Sequence, residues 1–173
     1  ASTDAPLLTF WAAALYAVVR LREGGGILWW VLLGAAFGAG MLAKYAMAGF
    51  LASLLLVVLF DPPMRAAARG PGPWLAAAVG LAVLAPNLWW NLPHGMATVV
   101  HVGENTNLEQ GARFDLRAAA EFFAAQFGVF GPVLFALLLW ALVRREHWRD
   151  PALRVLALFV VPLGAVILLQ SFL

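Results

Sequence analysis

The sequence predicts an all-α protein, a polytopic transmembrane helical bundle of about six spans. Three observations carry that expectation. Hydrophobic residues fill 64% of the 173 positions and charged residues only 12%, where a soluble domain carries about 25% charged residues. Apolar stretches of membrane-crossing length recur along the chain, punctuated by short Gly, Pro and Arg connectors. The basic residues, finally, are divided unevenly between alternate connectors, as expected when Lys and Arg are retained on the cytoplasmic side.

Each span follows from length. A helix rises about 1.5 Å per residue, so about 20 apolar residues cross a hydrocarbon core of about 30 Å. The first span is read at about 5 to 20, "APLLTFWAAALYAVVR". From Ile27 to Phe60 the chain runs 34 residues with the single charge Lys44. One helix of that length would reach about 51 Å, so the run is read as two short spans turning near Lys44. The fourth, fifth and sixth spans are placed at about 73 to 90, 122 to 143 and 153 to 173. "REGGG" at 22 to 26 and "ARGPGP" at 68 to 73 are turn-like punctuation. Residues 1–173 therefore read as a single transmembrane domain with one long outer loop at about 91 to 121.

With the first span running inward, Arg20, Arg22, Arg65, Arg69, Arg144, Arg145, Arg149 and Arg154 share one side, against Lys44, Arg113 and Arg117 on the other. The richer side is expected to be cytoplasmic, which implies a bacterial inner membrane with Asp4, the Lys44 turn and the 91–121 loop on the periplasmic face. The opening "ASTD" lacks the basic region of a signal peptide, and the closing "VILLQSFL" is still hydrophobic. The chain reads as an internal piece of a longer polytopic protein.

Several function classes are excluded. Without cysteine there is no disulfide, no Cys-ligated zinc and no thiol catalysis. A net charge of +2, with basic residues single or paired, is no nucleic-acid surface. No Gly-rich phosphate loop, HExxH or GxSxG motif is present, and no acidic pair stands within a span as a proton-driven carrier would show.

What remains is a polar layer at the outer face, gathered from three regions: Asp4, Lys44, and Asn91, His94, His101, Glu104 and Arg113 of the loop. Ionisable groups beside hydrocarbon are functional candidates, because they need a cavity or a partner. Each also has a plainer explanation. Lys44 is either a turn lysine snorkelling to the interface or a cation for a lipid-linked phosphate, with Arg113 and Asn91 as further phosphate contacts. Asp4, before Pro6, suits a helix N-terminus, a role compatible with a catalytic one. His101 and Glu104 stand three apart, a spacing that on a helical turn would let them hold a divalent metal or serve acid–base chemistry; a solvated loop is the plainer account. His94, after Pro93, reads as a turn residue. Trp89 and Trp90 match an aromatic belt. Pro86 and Asn87 are expected to interrupt the fourth span and to leave polar groups in need of partners. Gly34, Gly38 and Gly40 fit close helix packing. Residues 112 to 123, "ARFDLRAAAEFF", read as an interfacial helix, and Gln126 as an interhelical hydrogen-bonding or packing residue.

"STDAPLLTFWAAALYAVVRL", "GAAFGAGMLAKYAMAGFL" and "PWLAAAVGLAVLAPNLWWNLPHG" together resemble consecutive segments of the bacterial dolichyl-phosphate-mannose protein mannosyltransferase-like family. The group includes the aminoarabinose transferase that acts on lipid A. The resemblance covers nearly the whole chain and implies part of a GT-C fold. It implies a membrane glycosyltransferase moving a sugar, with inversion, from a polyprenyl-phosphate donor to a periplasmic lipid, glycan or protein acceptor. In that family an aspartate of the first periplasmic loop is the principal base, which places it upstream of Ala1. Residue by residue, Asp4 matches the family's acidic position before this span. Lys44 matches the lysine of the turn that holds the lipid phosphate. His101 lies near a metal-binding histidine of the aminoarabinose enzymes, at a different local spacing. The family also continues beyond position 173. Two other readings are a non-catalytic membrane subunit or transferase relic packing in a larger membrane complex, and a transporter or flippase fragment, for which the spans carry too little charge.

Overall fold

The computed structural model describes residues 4–92, 121, 124–125, 132–144, 146 and 149–171. Every regular element among them is helical. The chain divides into two compact units, Ala1–Ala97 and Thr98–Leu173, each described by itself.

In the first unit, α1 (Asp4–Arg22) begins with an acid and ends with Arg20 and Arg22, which complements the helix dipole at both ends. It closes in a Schellman turn. Gly24 N–H donates to the Leu21 carbonyl at 3.1 Å and Gly25 N–H to the Arg20 carbonyl at 2.8 Å. Gly24 takes φ +88°, a left-handed conformation suited to glycine. The turn delivers α2 (Ile27–Ala43) back along α1, with Tyr16 edge-on to Trp29 at 5.5 Å and the Arg20 guanidinium 5.3 Å from the Trp29 ring centre.

The long apolar run breaks at Lys44, as its length requires. Lys44 is extended (φ −162°, ψ 131°), and a short 3-10 turn, Tyr45–Met47, leads into α3 (Ala48–Phe60). Gly40 faces the Met47 side chain, whose Sδ would lie 2.9 Å from an added Cβ. Met47, Phe50, Ser53 and Val57 are the buried positions of this return, and Phe50 meets Trp11 of α1 edge-on at 5.1 Å.

A six-residue helix, α4 (Pro62–Ala67), follows α3. Its signal is "DPP". Asp61 caps the helix by accepting the Met64 N–H at 3.1 Å, and proline occupies the first turn, where its missing N–H costs nothing. Asp61 is wholly buried, and the Arg22 Nε donates to both its carboxylate oxygens at 3.2 Å. This pair ties the end of α1 to the end of α3.

The last helix of the unit, α5 (Gly72–Asn91), packs on α2. Their contact is made by small residues at four-residue spacing. Gly72 meets Trp30, Gly34 meets the Ala76 backbone, and Gly38 lies where an added Cβ would stand 2.8 Å from the Gly80 carbonyl and 2.9 Å from Val83 Cβ. The pairs 30–72, 34–76 and 38–80 share one register, so α2 and α5 run parallel. Backbones approach this closely only where no side chain intervenes, the small-residue geometry of membrane helix pairs.

In the second unit, α6 (Pro132–Val143) and α7 (Pro151–Ser171) are described. Asp150 accepts the Ala152 N–H at 2.8 Å at the start of α7, whose Val155 and Phe159 are buried one turn apart. Arg144 lies 5.3 Å from the Trp140 ring centre.

By length and composition α1 and α5 can each cross a membrane; Ile27–Ala43, Tyr45–Phe60 and Pro151–Pro162 are shorter apolar helices. Large apolar side chains such as Leu28, Leu55, Leu59 and Trp89 face outward, as lipid contact requires.

Two outcomes test this packing. Gly34→Leu forces backbone separation and should cost the first unit at least about 2 kcal/mol, whereas Gly70→Ala, whose added Cβ meets only the Ala67 carbonyl at 3.9 Å, should change little; thermal unfolding of the full-length protein in detergent distinguishes them. Asp61→Ala strands the largely buried Arg22 and uncaps α4, and should cost about 3 kcal/mol or more by the same measurement.

Candidate functional site

At the end of the first unit opposite the Arg22–Asp61 pair, four chain regions converge: the first turn of α1, the extended break at Lys44, the 3-10 turn and the last turns of α5. The Lys44 ammonium donates to Asp4 Oδ1 at 2.7 Å, a pairing across 40 sequence positions. It follows from hairpin geometry, because α1 starts where its antiparallel neighbour α2 ends. Asp4 is the first residue of α1. The two side chains remain 60% and 48% exposed, so the pair is worth at most about 1 kcal/mol. It fixes the position of an accessible cation more than it stabilises the fold. Lysine offers three donor protons, which leaves Lys44 capacity for an anionic ligand beside Asp4.

Behind the pair lies a small polar network. Asn87 Oδ1 accepts the Tyr45 hydroxyl at 3.4 Å and the Asn91 side-chain amide at 3.1 Å, and the same Asn91 amide reaches the Asn87 carbonyl at 3.0 Å. Tyr45 and Asn87 stand 42 positions apart, the same offset as the glycine contacts lower on α2 and α5. The helix register therefore continues beyond α2 into its turn. The expected interruption of the fourth span does not occur: α5 runs unbroken through Pro86 to Asn91. Proline deprives the Ala82 carbonyl of its helical donor, but one missing bond is tolerated in a long helix held along its packing face. Of the polar groups expected near Pro86, the Asn87 side-chain oxygen and carbonyl find partners, in the Tyr45 hydroxyl and the Asn91 amide.

The structure thus brings Asp4, Lys44 and Asn91 to one end of the bundle. Asn91 is only 3% exposed, with its amide nitrogen turned to Asn87. Glu104, Arg113 and His101 lie outside the described residues, as do His94, Gln126 and most of the 112–123 segment. Among the described residues no three His, Asp or Glu side chains cluster as metal ligands would. Sequence reasoning missed one contributor at this end, Tyr45, and the Asp61 cap at the opposite end. Tyr45 carried no signal beyond its place after the turn lysine. Asp61 had one, since an acid before two prolines is a helix-start signature.

The family model described as dolichyl-phosphate-mannose-protein mannosyltransferase matches residues 1–90, which contain all of this convergence except Asn91. The chain belongs to that family. This family member is 36% identical over 171 residues to the lipid A galacturonosyltransferase RgtD of Rhizobium johnstonii, an alignment covering 98% of the present chain and 36% of RgtD. The chain thus spans about a third of that relative's length. No solved structure matches it. As a member of a membrane glycosyltransferase family, the chain has an apolar exterior and helices of span length that suit a bilayer.

Asn87→Leu removes the acceptor shared by Tyr45 and Asn91 and should cost about 1–3 kcal/mol. Tyr45→Phe removes one donor at 3.4 Å and should cost less. Chemical denaturation of the two full-length variants gives the order, and the reverse order would contradict the network.

Proposed function

We propose that the full-length protein is a glycosyltransferase of the inner membrane that transfers a sugar from a polyprenyl-phosphate donor to an acceptor at the periplasmic face. In this reading the chain supplies about six spans of a GT-C fold. The name of RgtD supports a lipid acceptor of the lipid A type and a uronic-acid sugar.

The observation that carries the reading is the Asp4–Lys44 pair at 2.7 Å. It supports the reading because it holds an accessible cation that can receive the anionic phosphate of a lipid-linked donor. In the reaction an acceptor oxygen forms a bond to the anomeric carbon while the bond to the polyprenyl phosphate breaks, and inversion follows from attack opposite the leaving group. The acceptor proton passes to a carboxylate base, and negative charge gathers on the departing phosphate. Lys44, joined by Arg113 of the loop, stabilises that charge. Asp4 acts as a positioning residue, because its carboxylate already holds the Lys44 ammonium. Glu104 assists the base. Asn91 supports the site wall through Asn87. His101 is reserved as a metal ligand, and no step here depends on it.

The test is transfer by the full-length protein from a radiolabelled polyprenyl-phosphate sugar. Lys44→Ala should lower kcat/KM about 100-fold, in the range for loss of one charge-stabilising donor. Asp4→Ala should lower it about 10-fold, mainly through KM for the donor, and the double variant should be no slower than Lys44→Ala alone, since Asp4 acts through Lys44. Wild-type rates in both single variants would overturn the assignment.

A further inference from the structure

The opposite end of the first unit carries positive charge that no acid among the described residues pairs with. Between Glu23 and Glu104 the sequence holds one acid, Asp61, and that acid is fully buried, capping α4 and accepting from Arg22. Arg20 is balanced by Glu23 at 3.0 Å. Two exposed arginines of the α4 connector have no such partner among the described residues. Arg65 donates to the Val58 and Leu59 carbonyls at the end of α3, which position its guanidinium without neutralising it. Arg69 has no ion pair or side-chain hydrogen bond among the described residues. The two stand four apart around a turn continued by the Ala68 N–H to the Met64 carbonyl at 2.9 Å and the Arg69 N–H to the Ala66 carbonyl at 3.3 Å. Like charges at that spacing repel unless an anion lies between them. Trp74, in the first turn of α5, is 80% exposed, and an outward indole at a helix end suits the headgroup layer.

We propose that the Arg65–Arg69–Trp74 connector is a binding surface for an anionic phospholipid headgroup in the leaflet opposite the Asp4–Lys44 site. The phosphodiester lies against the two guanidinia, where arginine offers forked donors, and the indole sits among the glycerol and upper acyl groups. Within residues 61–74 the single carboxylate, Asp61, is buried and held by Arg22 and the Met64 N–H, so nothing within the connector competes for the arginines. The surface does not depend on the transferase reading; it requires only that the first unit spans a membrane.

The test is a thermal-shift titration of purified full-length protein in neutral detergent with phosphatidylglycerol, phosphatidylcholine or inorganic phosphate. Phosphatidylglycerol should raise the unfolding midpoint saturably, while phosphatidylcholine and inorganic phosphate should not. Apparent affinity should fall roughly fivefold for Arg69→Gln and about thirtyfold for Arg65→Gln/Arg69→Gln, following the usual contribution of each arginine near an anionic headgroup. Arg69→Gln alone touches no described side chain, so it keeps the test valid if the double variant folds poorly. An equal response to phosphatidylcholine or to inorganic phosphate, or an undiminished phosphatidylglycerol response in Arg69→Gln, would overturn the proposal.

Discussion

The close approach of α2 and α5 is the constraint on which the rest of the first unit depends. Glycine at 34 and 38, facing Ala76 and Gly80, brings two backbones together without intervening side chains. Both helices carry small residues at four-residue spacing, and they meet in a matched parallel register. That register puts Tyr45 against Asn87 at the far end and fixes where α2 must stop. Lys44 therefore stands at a height set by glycines one to three turns below it. A substitution remote from the polar end could move the cation without touching any charged residue.

The two long-range ion pairs play different roles because their surroundings differ. Asp4 and Lys44 are both about half exposed, so water screens their attraction and the ammonium stays available to another anion. Asp61 is wholly buried and Arg22 mostly so. Each would be costly alone, and the pair persists because the carboxylate is also satisfied by the Met64 N–H. One pair is suited to exchange partners and the other to hold helix ends together. Asp4 and Arg22 are the two ends of a 19-residue helix, so the pairs are separated by about the thickness of a hydrocarbon core.

Much of this was legible in the sequence, for identifiable reasons. Apolar run lengths and the isolated Lys44 located α1, α2, α3 and α5, because a membrane allows few alternatives to a helix of fixed length. The alternation of spans puts Asp4 and Lys44 in one layer, where the structure pairs them. The glycines fit close helix packing, but sequence spacing alone does not say which neighbour they face, and the parallel register with α5 shows only in the folded structure. Pro86 misled, since a local rule about proline gave way to packing along the whole helix. Asp61 before two prolines is a local helix-start signature, but nothing in the local sequence names Arg22, 39 positions earlier, as its partner. Of the candidate residues, Glu104, Arg113 and His101 lie outside the described residues, so that part of the site rests on sequence alone.

The central claim is that the Asp4–Lys44 and Arg22–Asp61 ends lie on opposite faces of one membrane. Single-cysteine accessibility tests it most directly, using the full-length protein in a cysteine-free background with Ala46→Cys beside Lys44 and Ala66→Cys on α4, both exposed positions. A membrane-impermeant maleimide applied from the periplasmic side should label Cys at 46 in sealed cells, and at 66 only after permeabilisation. Labelling of both positions from the same side of a sealed membrane would contradict the account.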